Sequence, residues 1–122
     1  MRRYEIRTLL AWIEAQVFEY DAIVITGDMN AHYLWGSGKP TIDVFTDDGF
    51  AVTRDTAPIK GDTGGTLAEG DRTYRPAWVF DYVLTRGSVS ALSFTALDNK
   101  IDKSGAAYPS DHVPVVARIT VN

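Results

Sequence analysis

Asp28, Asn30, Asp81, Asp111 and His112 are the residues of this 122-residue chain whose types and settings are suited to chemistry. Asp28 and Asn30 stand in Gly27-Asp28-Met29-Asn30, directly after the apolar run Ala22 to Ile25. Asp81 interrupts the apolar strand Phe80-Asp81-Tyr82-Val83-Leu84, and Ser110-Asp111-His112 precedes Val113-Pro114-Val115 and a last apolar strand. Polar groups at strand ends, and one inside a strand, are poor choices for packing but good ones for a phosphate-cleaving site. Such cleavage needs a positioned water, neutralised charge on the equatorial oxygens and a stabilised leaving oxygen. His112 is the strongest candidate, because an imidazole acts as acid or base near neutral pH, or donates to a phosphoryl oxygen when protonated. If Asp81 meets it across adjacent strands, the carboxylate holds one tautomer and favours the charged form.

Each motif also has an ordinary reading. Gly-Asp-x-Asn after a strand makes an Asx-type turn. Asp81 would serve as an inward charge on an edge strand, and Asp111-His112 would cap a turn before Pro114. Their joint occurrence tips the balance. Gly-Asp-Met-Asn, Phe-Asp-Tyr-Val-Leu and Pro-Ser-Asp-His-Val-Pro-Val, in this order, resemble the endonuclease/exonuclease/phosphatase superfamily of deoxyribonuclease-like phosphoesterases. The resemblance runs from Arg3 to Val121 and covers the C-terminal half of that fold, a four-layered α/β/β/α sandwich.

The resemblance implies roles by position. Asp28 orients or deprotonates the attacking water, Asn30 donates its amide to the transferring phosphoryl group, and Asp81 pairs with His112. Asp111 is then the remaining oxygen ligand for Mg2+ or Mn2+. The family's principal metal-binding glutamate lies in its N-terminal half and has no matching position here, so metal binding and turnover by this chain alone are expected to be weak. The implied activity is metal-dependent hydrolysis of a phosphodiester or phosphomonoester. Nucleic acid, phosphoinositide, sphingolipid and simple phosphodiester substrates share these motifs and stay open. The competing class is a non-catalytic remnant kept as an interaction module.

The elements that must position these groups read as one α/β domain over residues 1–122. Ile6, Leu9, Leu10, Ile13 and Val17 recur at helical spacing and predict an amphipathic helix over Glu5 to Glu19. Ala22 to Thr26 reads as a buried central strand. Residues 31 to 40 form a loop in which Tyr33, Leu34 and Trp35 are either packing or a substrate platform, and His32 is a loop residue near substrate. Thr41 is the expected N-cap of a short helix ended by Gly49. Phe50 to Thr53 is an edge strand, and a long exposed loop follows from Pro58 to Pro76. Val79 to Thr85, Ala91 to Leu97 and Val113 to Val121 read as strands, with turns at Gly87 and around Gly105, giving one mostly antiparallel sheet with helices on one face. Trp78 and Tyr82 read as core. The inner face of this half-sandwich lacks its usual cover, which predicts a homodimer or a separate N-terminal half-domain partner.

Bulk properties narrow the classes further. The chain is 45% apolar and 23% charged with a net charge of −4, ordinary globular material without the basic surplus of a protein that grips long nucleic acid. Arg72, Arg75 and Arg86 flank Asp81 as either phosphate contacts or scattered solvated charges. No cysteine is present, which excludes disulfides, zinc ribbons and thiol nucleophiles. The N-terminal stretch carries too many charges for a signal peptide, and no apolar run approaches the roughly 20 residues that span a bilayer. The cellular compartment stays open.

Overall fold

The computed structural model describes residues 2–16, 18, 21–67, 78–97 and 110–122. Arg72, Arg75, the turn around Gly105, and Val17 and Glu19 of the expected first helix lie outside the described residues. The elements run α1 (Arg3–Gln16), β1 (Ala22–Asp28), α2 (Lys39–Asp47), β2 (Ala51–Val52), α3 (Thr53–Thr56), β3 (Ile59–Lys60), β4 (Asp81–Gly87), β5 (Val89–Ala96) and β6 (Val115–Val121), with one 3-10 turn at Gly36–Gly38.

The strands form two three-stranded ladders, in the orders β1-β4-β2 and β3-β5-β6. The first is antiparallel throughout; in the second, β3 runs parallel to β5, so the strands are shared between two ladders where a single sheet was expected. The α/β class is the expected one.

The helical spacing of α1 buries Ile6, Leu10 and Ile13 against Ile42 and Phe45 of α2 and against Tyr82 and Leu84 of β4. Each such side chain, fully buried, contributes roughly 1.5–3 kcal/mol before chain entropy is charged against it. Strand alternation decides which residues of the first ladder meet the helices: Ile23 and Ile25 join that core, while Val24, Thr26 and Asp28 face the other way and are exposed. Arg86 bridges both helices from β4, with ion pairs to Glu14 and Asp48 and its guanidinium over the Phe50 ring.

Three expectations need correction. β1 is an edge strand among the described residues, not a central one, and Val24 keeps 42% of its surface exposed. A short apolar run records burial on its faces but carries no information about how many strands lie beside it. Helix α2 starts at Lys39 with Gly38 at the N-cap, so Thr41 lies inside it; Pro40, whose ring pre-sets the helical φ, fixes the start. Gly38 is also obligatory, because a Cβ there would collide with the backbone of Ala31 and His32. Within the region expected to be a loop from Pro58, Ile59 and Lys60 pair with β5.

Helix α3 joins the two ladders. Thr53 Oγ1 donates to the Val83 carbonyl at 2.8 Å, and Arg54 donates to the carbonyls of Thr63 and Gly64 while its guanidinium lies 4.9 Å from the Phe94 ring centroid. Gly87 makes the β4–β5 turn at φ +90°, where a side chain would strike the Asp21 carbonyl. Among the described residues, no helix is long and apolar enough to cross a membrane.

Candidate active site

β1 and β4 run antiparallel in a register that makes Asp28 and Asp81 direct cross-strand partners at the end of the ladder. Like charges placed opposite one another destabilise a sheet. A third group lies between the two carboxylates: His112 Nδ1 is 2.7 Å from Asp81 Oδ2, and its Nε2 is 3.8 Å from Asp28 Oδ2. One ligand-type atom from each of the three residues falls within 4.8 Å of the others.

An ionised carboxylate only accepts hydrogen bonds, so the short contact assigns Nδ1–H as the donor to Asp81 and leaves Nε2 directed towards Asp28. The hydrogen bond to Asp81 raises the His112 pKa above its ordinary 6.5; partial burial opposes this, and the charges of Asp81, Asp28 and Asp111 add to it. The imidazolium is therefore the favoured form over a wider range of pH than for a free histidine. The separation between Nε2 and Asp28 exceeds hydrogen-bonding distance, so a water that accepts from a protonated Nε2 and donates to the carboxylate can bridge the two groups.

Local backbone structure holds each group in place. Asp28 Oδ1 accepts the Asn30 N–H at 2.9 Å, and Asn30 sits at φ 52°. The Asx-type turn is thus present together with the convergence of Asp28, Asp81 and His112. The strand ends at Asp28, and Asn30 sits in the left-handed region that asparagine tolerates best after glycine. Ser110 Oγ accepts the His112 N–H at 3.1 Å.

Thr66 is a supporting residue that the motifs do not reveal. It is fully buried, donates its N–H to the Trp78 carbonyl at 2.7 Å, accepts the Phe80 N–H on Oγ1 at 2.9 Å and accepts the Val113 N–H on its carbonyl at 2.9 Å. Leu67 beside it forms an antiparallel bridge with His112. One threonine thus ties the segment before Asp81 to the segment after His112. Two of these three bonds use its backbone, which any residue type supplies, so composition and spacing carry little trace of the role.

An open groove of about 510 Å³ runs over the constellation, lined by Thr26, Asp28, Asp81, Val83, His112 and Val115 among others. Asp111 is exposed next to His112 and lies outside the convergent trio. His32 is 3% exposed, stacked on Tyr33 and Trp35, with Nδ1 accepting the Leu34 N–H; it is a packed residue of its loop. Tyr82 is core as expected, whereas Trp78 is substantially exposed. Arg86 stands five residues along β4 from Asp81, about 17 Å away in a strand, and its ion pairs commit it to the helices.

No family model matches the chain, and no curated protein matches it by sequence. Solved structures do match it. An endonuclease/exonuclease/phosphatase from Bacteroides vulgatus superposes with a TM-score of 0.79 at 18% identity, over 98% of this chain and 44% of the other. A mannosyl-6-phosphatase from Bacteroides thetaiotaomicron matches with a TM-score of 0.72 at 16% identity, over 97% of this chain and 44% of that one. An endonuclease/exonuclease/phosphatase family protein from Leptotrichia buccalis gives 0.67 at 17% identity, over 91% and 41%. The chain therefore has the fold of the endonuclease/exonuclease/phosphatase proteins, and it spans less than half the length of the solved structures it matches.

Proposed function

We propose that this chain carries part of a metal-dependent hydrolase site for phosphodiesters or phosphomonoesters. The observation that carries this reading is the convergence of Asp28, Asp81 and His112, drawn from three separate segments, within 4.8 Å of one another in the lining of a groove. Asp28, with one oxygen held by the Asn30 N–H and the other 3.8 Å from His112 Nε2, orients the attacking water and accepts its proton. His112, kept protonated by Asp81, donates from Nε2 to a phosphoryl oxygen as charge builds there. Asn30 is the expected second donor to the phosphoryl group.

Asp28 and Asp111 are exposed carboxylates whose charges both reach His112. Such oxygen donors fit a magnesium-type ion, which keeps several waters and takes one or two carboxylates. The protonated imidazole fits that ion poorly, being a donor. Asp111 would hold Mg2+ or Mn2+, and the bound ion would neutralise charge on the phosphoryl oxygens. Binding by so few ligands is weak, and turnover by the chain alone is expected to be low. A solved mannosyl-6-phosphatase of the same fold supports including phosphomonoesters among the substrates. The exposed face of edge strand β1 supports pairing with a second copy or with a complementary half-domain; a monomer in sedimentation equilibrium would rule out the first.

The test is hydrolysis of p-nitrophenyl phosphate and bis(p-nitrophenyl) phosphate with magnesium, with manganese and with EDTA, beside His112→Ala. General acid–base catalysis is worth roughly 10²–10⁴-fold, so the variant should lose about that factor. Turnover that survives both EDTA and His112→Ala would reject the assignment.

A further inference from the structure

The outer face of α1 departs from the charged surface that a helix on a globular protein ordinarily turns to water. Ile6, Leu10 and Ile13 face the core, and the helical period sets Tyr4, Thr8, Ala11 and Ala15 on the opposite side, in one line along the axis. Tyr4 keeps 78% of its surface exposed, and Trp12, beside the line, keeps 63%. The hydroxyl of Thr8 donates back to the Tyr4 carbonyl at 3.0 Å, so covering the line leaves no hydroxyl without a partner.

The alternating four- and three-residue steps of this line are those of a two-helix seam. Its ends differ in size, with Tyr4 at one and Ala15 at the other. A second α1 laid antiparallel seats each tyrosine over an alanine of the other helix and sets Thr8 beside Ala11; a parallel one sets tyrosine on tyrosine and leaves the alanines facing a gap. Charge agrees with the antiparallel order. Arg7 and Glu14 flank the line on the same side, so antiparallel helices bring Arg7 of each copy to Glu14 of the other, whereas a parallel pair offers neither residue an opposite charge along α1. Glu14 uses one oxygen on Arg86 of its own chain and its side chain is still 58% exposed, which leaves the other oxygen for a second cation. The complementary half of a four-layered sandwich covers the sheet, and α1 belongs to an outer layer that such a half does not reach.

We infer that the outer face of α1 is a self-association surface, on which two copies of this chain pair through antiparallel α1 helices, with Tyr4 seated over Ala15 and Arg7 against Glu14. Helix α1 packs on the face of the β1–β4 ladder away from Asp28 and Asp81, so pairing leaves both grooves open. A 14-residue helix is about 21 Å long, which gives a contact of the small size that belongs to reversible association. The surface is separate from the exposed face of β1, and the inference does not rest on the phosphoester reading.

Sedimentation equilibrium of the full chain over a wide range of concentration tests it. The wild type should move from monomer towards dimer as concentration rises. Ala11→Glu puts a charge in the middle of the seam at an exposed helix position, so the dimer dissociation constant should rise about ten-fold or more while urea unfolding changes little. Arg7→Glu and Glu14→Lys should each weaken association. An equimolar mixture of these two should regain it, because each chain then offers the charge that the other lacks; this arm decides the matter even if Ala11→Glu fails to fold. Val24→Glu, on the exposed face of β1, should leave the constant unchanged. A wild type that stays monomeric throughout, dimers that survive Ala11→Glu, or a mixture no more associated than its components would each overturn the antiparallel α1 pair. Loss of the dimer in Val24→Glu but not in Ala11→Glu would place the contact on β1 and overturn it as well.

Discussion

The two faces of the β1–β4 ladder obey different rules although the same strands supply both. On the helix side, Ile23, Ile25, Tyr82 and Leu84 pack against α1 and α2, and the cation on that side, Arg86, has two carboxylate partners. On the other side, Asp28 and Asp81 oppose each other in register, and a histidine from a distant segment stands between them. A sequence selected only for stability would not set two carboxylates opposite one another. The alternating residues of β4 thus divide the work, with Tyr82 and Leu84 holding the sheet to the helices while Asp81 orients the His112 ring.

If the faces are separable, damage to one should leave the other readable. Leu84→Ala, at a fully buried position on the helix side, is expected to destabilise the fold by about 2–5 kcal/mol in urea unfolding. Activity per folded molecule should be retained, and a parallel collapse of activity under conditions where the variant is fully folded would break the distinction. Thr66→Val probes the boundary. It removes the acceptor of the Phe80 N–H and keeps the side-chain volume, so about 1–3 kcal/mol of stability should go. Because Thr66 carries both site segments, kcat should fall more than KM rises; a loss of stability alone would reduce Thr66 to a packing residue.

The sequence is legible where chemistry and periodicity are local. The helical spacing of Ile6, Leu10 and Ile13 marks α1, and the motif order singles out Asp28, Asp81 and His112, which the fold then brings together. What is illegible depends on neighbours distant in the chain. The apolar run at Ala22 does not disclose that, among the described residues, β1 has a strand on one side only. Arg86 is near Asp81 in sequence, yet strand geometry carries it to the far end of β4. Thr66 acts largely through backbone groups, and nothing in the local sequence announces the left-handed conformation of Asn30. Trp78 has the composition of a core residue, and only its surroundings reveal its exposure.

The His112–Asp81 pair should leave a signature in the pH dependence of stability. The folded state raises the histidine pKa above 6.5, so it binds the proton more tightly than the unfolded chain does. This contribution is complete below the unfolded value of 6.5 and is lost as pH rises through the raised folded value. In EDTA, wild-type unfolding free energy should therefore decline with rising pH across that window relative to His112→Gln. Parallel curves for the two proteins would mean that the pair does not form in solution.

The smallest expected effect has the opposite sign and separates the faces most sharply. Asp28→Asn removes one of the two opposed charges while keeping an oxygen that can accept the Asn30 N–H. Relief of the cross-strand repulsion should stabilise the fold by about 0.2–1 kcal/mol, partly offset by the lost attraction to protonated His112 across 3.8 Å. That attraction vanishes once His112 is neutral, so the gain should be larger at alkaline pH than at acid pH. The same substitution removes the proposed proton acceptor, and hydrolysis should fall while stability rises. Destabilisation at every pH would show Asp28 to be a structural residue, and the opposed carboxylates would lose their functional explanation.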